Sequence, residues 1–145
     1  MTADVTTPDV PLRPMRPVDV DTQAFWQYID KSVLAFQRCA NCGRLRFYPQ
    51  QRCPHCGGQD YAWTPTSGRA TVRTWSVIHN ASDPWFRAHL PYVVAVVEIE
   101  DDHRLRMLAN IVNCEPDEVH LGQHLRVVFQ PVDENRKMYA FEPAD

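Results

Sequence analysis

Glycine is scarce in this chain, with five in 145 residues and none grouped into a loop that could cradle a phosphate. That excludes the glycine-rich nucleotide-binding motifs, which need a backbone stripped of side chains around the phosphates. No apolar run approaches the roughly 20 residues that span a bilayer. No hydrophobic signal segment opens the sequence, so a cytoplasmic protein without a membrane segment is expected. No carboxylate pair stands out from the general acidity, and His79, His89 and His103 have no partner at metal or triad spacing. The net charge of −3 gives no general case for nucleic-acid binding.

Acid is also missing where it matters. From Lys31 to Gln59 there is no aspartate or glutamate, while Lys31, Arg38, Arg44, Arg46 and Arg52 supply five positive charges. The first 30 residues carry five acids against two bases, so a basic stretch is embedded in an acidic chain. Such a stretch is either a solvated arginine surface or a docking surface for phosphate groups or an acidic partner.

Four cysteines lie inside this acid-free stretch, in two matching brackets: Cys39-Ala40-Asn41-Cys42-Gly43 and Cys53-Pro54-His55-Cys56-Gly57, ten residues apart. A tetrahedral metal site needs four soft ligands converging on one point, and each Cys-x-x-Cys turn supplies two. The glycine after each second cysteine lets the backbone turn its amides toward the thiolates. The pattern predicts a structural Zn2+ site in a zinc ribbon. Four thiolates can equally hold iron, and the spacing does not separate the two. A closed shell of four thiolates leaves no coordination position for a substrate, so these residues are expected to be structural. Disulfides fit an oxidising compartment, for which no signal is present. A redox Cys-x-x-Cys normally occurs once, beside a β-α-β pattern.

Residues 1–21 read as a flexible arm with Pro8, Pro11, Pro14 and Pro17 at three-residue steps. Thr22 is the expected N-cap of a helix to Phe36, with Phe25, Ile29 and Val33 on one face beside Trp26. That stripe suits packing on the protein's own core or an interface. The ribbon is expected over 37–65, with strands at Leu45–Pro49 and Tyr61–Trp63. From 66 to 145 the texture turns to β. Strands are expected at Arg69–His79, Tyr92–Glu100, Leu105–Val112, His124–Gln130 and Lys137–Phe141, with one helical turn starting at Pro116. Five short strands in this length predict a Greek-key barrel of the OB type. The fold class is mainly β: an N-terminal helix, a rubredoxin-like zinc ribbon and a five-stranded OB-fold barrel.

This order of elements resembles a family of acyl-CoA-associated zinc-ribbon/OB-fold proteins known as domain of unknown function thirty-five. The likeness runs from Phe25-Trp26 through Arg38-Cys39-Ala40-Asn41-Cys42-Gly43, Pro49 and Cys53-Pro54-His55-Cys56-Gly57. It continues through Ser67-Gly68-Arg69-Ala70-Thr71-Val72, Pro91-Tyr92-Val93-Val94-Ala95, Asn110-Ile111-Val112-Asn113-Cys114 and Gly122. The resemblance implies a non-catalytic subunit of a hetero-oligomer. Its partner would be a thiolase-like protein (a thiolase, an acyltransferase or a steroid side-chain retro-aldolase) or a hotdog-fold acyl-CoA hydratase. The subunit would help hold the CoA thioester substrate. CoA carries a diphosphate and a 3′-phosphate that arginine forks can grip. The residues expected to bind CoA or dock are Arg38, Arg44, Arg46 and Arg52, with Phe47 or Tyr48 as flat surfaces.

Trp85 and Phe86, beside Pro84 in the Asn80–Pro91 loop, would expose costly apolar surface unless they cap the barrel or meet the partner or its acyl chain. Cys114, the fifth cysteine, has His120 and His124 near in sequence, but its place matches a strand-end cysteine of structural use in the family. Two other functions compete: a nucleic-acid-binding module, against which the acidic barrel counts, and a free-standing iron electron carrier.

Overall fold

The computed structural model describes residues 12–144; the part of the expected arm before Leu12, with Pro8 and Pro11, lies outside them. Helix α1 (Gln23–Asp30) leads into a three-stranded sheet of β1 (Ala35–Cys39), β2 (Leu45–Arg46) and β3 (Tyr61–Pro65), in the order β2-β1-β3. A barrel follows: β4 (Arg69–Ile78), a short helix α2 (Pro84–Ala88), β5 (Tyr92–Ile99), β6 (Arg106–Ile111), β7 (His124–Pro131) and β8 (Lys137–Pro143). The barrel closes in the order β4-β5-β6-β8-β7, with a parallel β6–β8 contact and antiparallel pairing of β7 back to β4. This is a closed five-stranded OB-type barrel, as expected. A 3-10 turn begins at Pro116, also as expected. Among the described residues no helix is long and apolar enough to cross a membrane.

The first departure from expectation is the helix length. α1 stops at Asp30, and residues 35–39 form a strand rather than the last turn of a helix. The stop is a Schellman arrangement: Val33 N–H donates to the Tyr28 carbonyl and Ser32 N–H to the Ile29 carbonyl, both at 2.9 Å. It requires a left-handed residue, and Ser32 supplies it with φ of 63°. Since serine fills a place usually taken by glycine, the sequence carries no stop signal there. The N-terminus also differs in detail. Thr22 is the cap residue, but its hydroxyl accepts from the Asp19 amide at 3.1 Å, while Asp19 Oδ1 accepts from the Thr22 amide at 2.9 Å.

The apolar face of α1 is fully spent on the protein's own core. Phe25 and Ile29 have no exposure, and Trp26 is buried against Tyr139 of β8 with ring centroids 6.1 Å apart. Phe25 meets Phe36 of β1 at 6.3 Å, Phe47 at 5.4 Å and Tyr139 at 6.0 Å. Helix, ribbon and barrel therefore share one continuous core, in which Phe25, Phe36 and Leu45 join Val72, Val97 and Phe141. A metal-stapled ribbon is too small to bury its own apolar face; here the helix and barrel cover it. Within the barrel, β5 alternates inward Val93, Ala95, Val97 and Ile99 with outward-leaning neighbours, the period-2 pattern of a half-buried strand. The turn into β4 is tight. Gly68 has φ of +79°, and a Cβ there would lie 2.8 Å from Val127 Cγ1.

Candidate metal centre and docking surface

Both cysteine brackets fold the same way. In the first, the Gly43 amide donates to the Cys39 carbonyl at 3.0 Å and the Cys39 amide to the Arg44 carbonyl at 2.9 Å. In the second, Gly57 donates to Cys53 and Cys53 to the Gly58 carbonyl, each at 2.9 Å. Gly43 and Gly57 share a φ of 77°, which lets each loop close. The repetition extends one residue upstream of each bracket. Arg38 donates to the Gly43 carbonyl at 2.8 Å, and Arg52 to the Gly57 carbonyl at 3.4 Å.

The four Sγ atoms of Cys39, Cys42, Cys53 and Cys56 lie within 4.8 Å of one another. Cys39 to Cys56 and Cys42 to Cys53 are each 3.6 Å apart, and all four thiols are free. Those separations exceed a disulfide bond. They approach the edge of a ZnS4 tetrahedron, about 3.8 Å for Zn–S bonds of about 2.3 Å. Backbone amides point at the sulfurs: Cys42 N–H to Cys39 at 3.5 Å, His55 N–H to Cys53 and Gly58 N–H to Cys56, both at 3.4 Å. Amide donors at Cys42 and Asn41 hold the Cys39 thiol down to about 6, which favours the thiolate a metal needs. The donor set and its amide shell fit structural zinc in a rubredoxin-like ribbon. His55 is not a ligand; its ring Nδ1 lies 2.6 Å from Arg44 Nη1, bridging the two brackets on the exposed side.

The predicted docking residues separate into distinct groups. Arg52 is exposed on the outside of the ribbon, Arg44 is half-buried with its Nη1 against His55, and Arg38 is half-buried and folded onto its bracket. Arg46 is different: it is only 3% exposed, lies 5.1 Å over the Tyr61 ring and donates to the Gln50 carbonyl at 2.9 Å. Its guanidinium is therefore a packing element of the ribbon and not a surface group. Phe47 is half-buried in the aromatic core, against Phe25 and Phe36. Tyr48 stays at the rim with Arg16 5.2 Å over its ring.

Trp85 and Phe86 sit far along the chain from the metal, on α2. Asp83 caps that helix by accepting the Trp85 and Phe86 amides at 2.8 and 3.4 Å. The Trp85 ring stacks on His89 at 3.9 Å and Phe86 packs on Tyr92 at 5.4 Å, leaving both half-buried at one wall of a cavity of about 470 Å³. Cys114 lines the same cavity, with Gln123 Nε2 4.0 Å from its sulfur; neither His120 nor His124 hydrogen-bonds to it.

Two residues of consequence were not picked out from sequence. Asp102, in the turn between β5 and β6, is buried beside the ribbon; its Oδ2 accepts the Leu45 amide at 3.0 Å and both its oxygens take Arg104. Burial pushes its carboxyl up, but the Arg104 and Leu45 donors outweigh this and hold it down to about 2. The other is Arg13, taken up below. An Asp-x-Arg turn is the only sequence signal for Asp102, and that signal is common in exposed turns.

Comparison with known proteins follows the same division. Residues 26–62 match the profile of the ChsH2 rubredoxin-like zinc ribbon domain, and 63–130 that of the ChsH2 C-terminal OB-fold domain. A DUF35 domain-containing scaffold protein of Methanocaldococcus jannaschii is 33% identical over 112 residues, covering 76% of this chain and 77% of that one. A probable enoyl-CoA hydratase alpha subunit of Thermomonospora curvata is 32% identical over 133 residues, covering 92% of this chain; the chain spans 40% of that relative's length. Among solved structures, a chain of the Ltp2-ChsH2(DUF35) aldolase superposes with a TM-score of 0.79 at 31% identity, over 90% of this chain and 100% of that one. A DUF35 protein of Sulfolobus solfataricus, at 13% identity and a TM-score of 0.61, shares the fold. This chain belongs to the DUF35 family of ChsH2-type zinc-ribbon/OB-fold proteins.

Proposed function

We propose that this family member is a cytoplasmic, non-catalytic accessory subunit that docks on a thiolase-fold enzyme and helps hold that enzyme's acyl-CoA substrate. The observation that carries this reading is the likeness, over 90% of this chain, to a chain of an aldolase whose name joins two proteins. Three features of the chain support it. The metal centre has four thiolate donors, enough to close a tetrahedral shell, so the metal would hold shape only. Neither Cys114 nor any described histidine forms a nucleophile–base pair. Arg52 projects from the acid-free ribbon and Arg44 lies half-buried beside His55, both guanidinium forks suited to phosphate or carboxylate groups, while Tyr48 offers a flat rim. In this reading the ribbon (37–65) and barrel (66–145) are the two docking modules, and the partner supplies the carbon–carbon bond chemistry.

The test is co-expression with a thiolase-fold protein encoded beside it. A stable complex on gel filtration, with acyl-CoA turnover only in the complex, is the expected result. Turnover by the isolated chain, or clean separation of the two proteins, would sink this assignment. A second partner class is favoured by one specific observation, the likeness to a probable enoyl-CoA hydratase alpha subunit. A hotdog-fold acyl-CoA hydratase should therefore be tried in the same experiment.

A further inference from the structure

Residues 12–16 run beside the barrel with no regular structure and, among the described residues, no backbone hydrogen bond to it. What holds them is side-chain chemistry centred on Arg13. Its Nη2 donates to Asn110 Oδ1 on β6 at 3.1 Å, and Asn110 Nδ2 is itself fixed by the Val93 carbonyl at 2.9 Å. The guanidinium lies 4.8 Å over the Trp85 ring and 5.1 Å over Phe86. Met15 packs on the core beside it.

This anchorage is costly. Arg13 Nε is buried without a hydrogen-bond partner, and no carboxylate pairs with the guanidinium among the described residues. A desolvated cation with an orphan donor loses part of what its aromatic contacts supply. Burial accordingly lowers its pKa.

Arg13 also divides an open space. A cavity of about 470 Å³ lies on its α2 side, and a second of about 520 Å³ lies toward α1, lined by Trp26, Tyr48, Val94 and Leu108. Both cavities share Arg13, Phe86, Tyr92, Asn110 and Met138. Four of these belong to α2 or to barrel strands, and Arg13 alone comes from a segment without regular structure.

We propose that residues 12–16 form a displaceable strap, with Arg13 as its latch, lying across the middle of one long groove. Lifting the latch joins the two cavities into a continuous trough walled by Trp26, Tyr48, Trp85, Phe86 and Leu108. The occupant that competes with the strap is an elongated, uncharged apolar body, the chemistry of an acyl tail. The choice of competitor rests on the acyl-CoA reading above; the strap itself does not. Because the groove is self-occupied, the affinity for any competitor is reduced by the fraction of molecules with the strap open. Weakening the latch must therefore tighten binding.

The experiment titrates full-length protein with N-phenyl-naphthylamine, a neutral apolar fluorophore whose emission rises on burial. Arg13→Ala should bind it about three- to tenfold more tightly than the wild type, as loss of two cation–π contacts and a hydrogen bond from the latch implies, with Arg13→Lys in between. Unchanged or weaker binding by Arg13→Ala, with normal circular dichroism and metal content, overturns the strap, as does absence of binding by both proteins. Arg13→Gln serves if Arg13→Ala fails to fold, with the same criteria. A parallel titration with CoA separates the two readings. CoA affinity should not respond to Arg13, and failure of CoA to bind at all would count against the accessory function while leaving the fluorophore result to judge the strap.

Discussion

Asp102 Oδ2 accepts the backbone amide of Leu45 at 3.0 Å, joining the turn between β5 and β6 to the strand that leaves the first cysteine bracket, 57 residues away in sequence. This bond fixes the ribbon to the barrel at a point beside the metal centre. It also explains why a carboxylate is tolerated at 7% exposure: Arg104 and the Leu45 and Arg104 amides supply the donors it needs.

Asp102→Asn should lower the melting temperature, because it removes the charge-assisted partner of Arg104 and weakens the bond to Leu45. A loss of about 1–3 kcal/mol is expected, or several degrees for a chain of this length, read by calorimetry. The same carboxyl imposes a pH dependence. Its folded pKa is depressed to about 2, below that of the unfolded chain, so its contribution is complete above about pH 4 and disappears as pH falls through 2. In Asp102→Asn this acid limb should flatten; an unchanged limb would remove Asp102 from the explanation.

One equivalent of zinc per chain should be found by elemental analysis. A red, iron-loaded protein would replace zinc by iron as the resident metal. Chelation, or Cys39→Ser, should unfold the ribbon, because binding of the metal contributes directly to its folding. Tryptophan fluorescence should report this, through Trp26 and Trp63 near the ribbon and helix.

Arg44→Ala with Arg52→Ala should weaken partner or CoA binding about tenfold or more while leaving the melting temperature within a few degrees, since Arg52 is exposed and Arg44, though half-buried, meets the exposed His55. Arg46→Ala should do the reverse. It empties a buried site against Tyr61 and strips the Gln50 carbonyl of its donor, so stability falls by about 2 kcal/mol or more. Equal effects of the two changes on binding would refute the separation drawn here.

Ser32→Gly should stabilise the fold by about 0.5 kcal/mol, relieving a left-handed residue of its Cβ. The gain is limited by loss of the 2.7 Å hydrogen bond from Lys137 Nζ to the Ser32 hydroxyl. Destabilisation on thermal melting would mean that this bond outweighs the strain.

What could be read from sequence follows the strength of local signals. The metal ligands were legible because four cysteines and two glycines specify a geometry by themselves. The barrel strands were legible because β5 and β6 alternate or run apolar over whole strands, and the 3-10 turn because Pro116 opens it. β1 was not legible, since Ser32 takes the role of a stop glycine and the apolar run through Phe36 continues the helical stripe. The fate of Arg46 was not legible either. In a two-residue strand covered on both faces, an arginine and a leucine are buried side by side, and no alternation marks which one lies inside. Arg13 and Asp102 act across long separations, 97 residues to Asn110 and 57 to Leu45, where a single sequence has no periodicity to offer.

The single core through α1, the ribbon and the barrel bears on how such chains can be recombined. Phe25 faces Phe36 and Phe47 on one side, and Phe25 and Trp26 both face Tyr139 on the other. A ribbon transplanted from a relative would bring foreign contours to both, so exchange at the boundary near Ser67 should yield mismatched hybrids unless α1 travels with the ribbon and its Tyr139 face is preserved. Cysteine brackets are interchangeable in chemistry; the helix that seats them is not. Grafting experiments, and the fusion of this unit into longer proteins, must treat residues from Thr22 to the end of β8 as one heritable block.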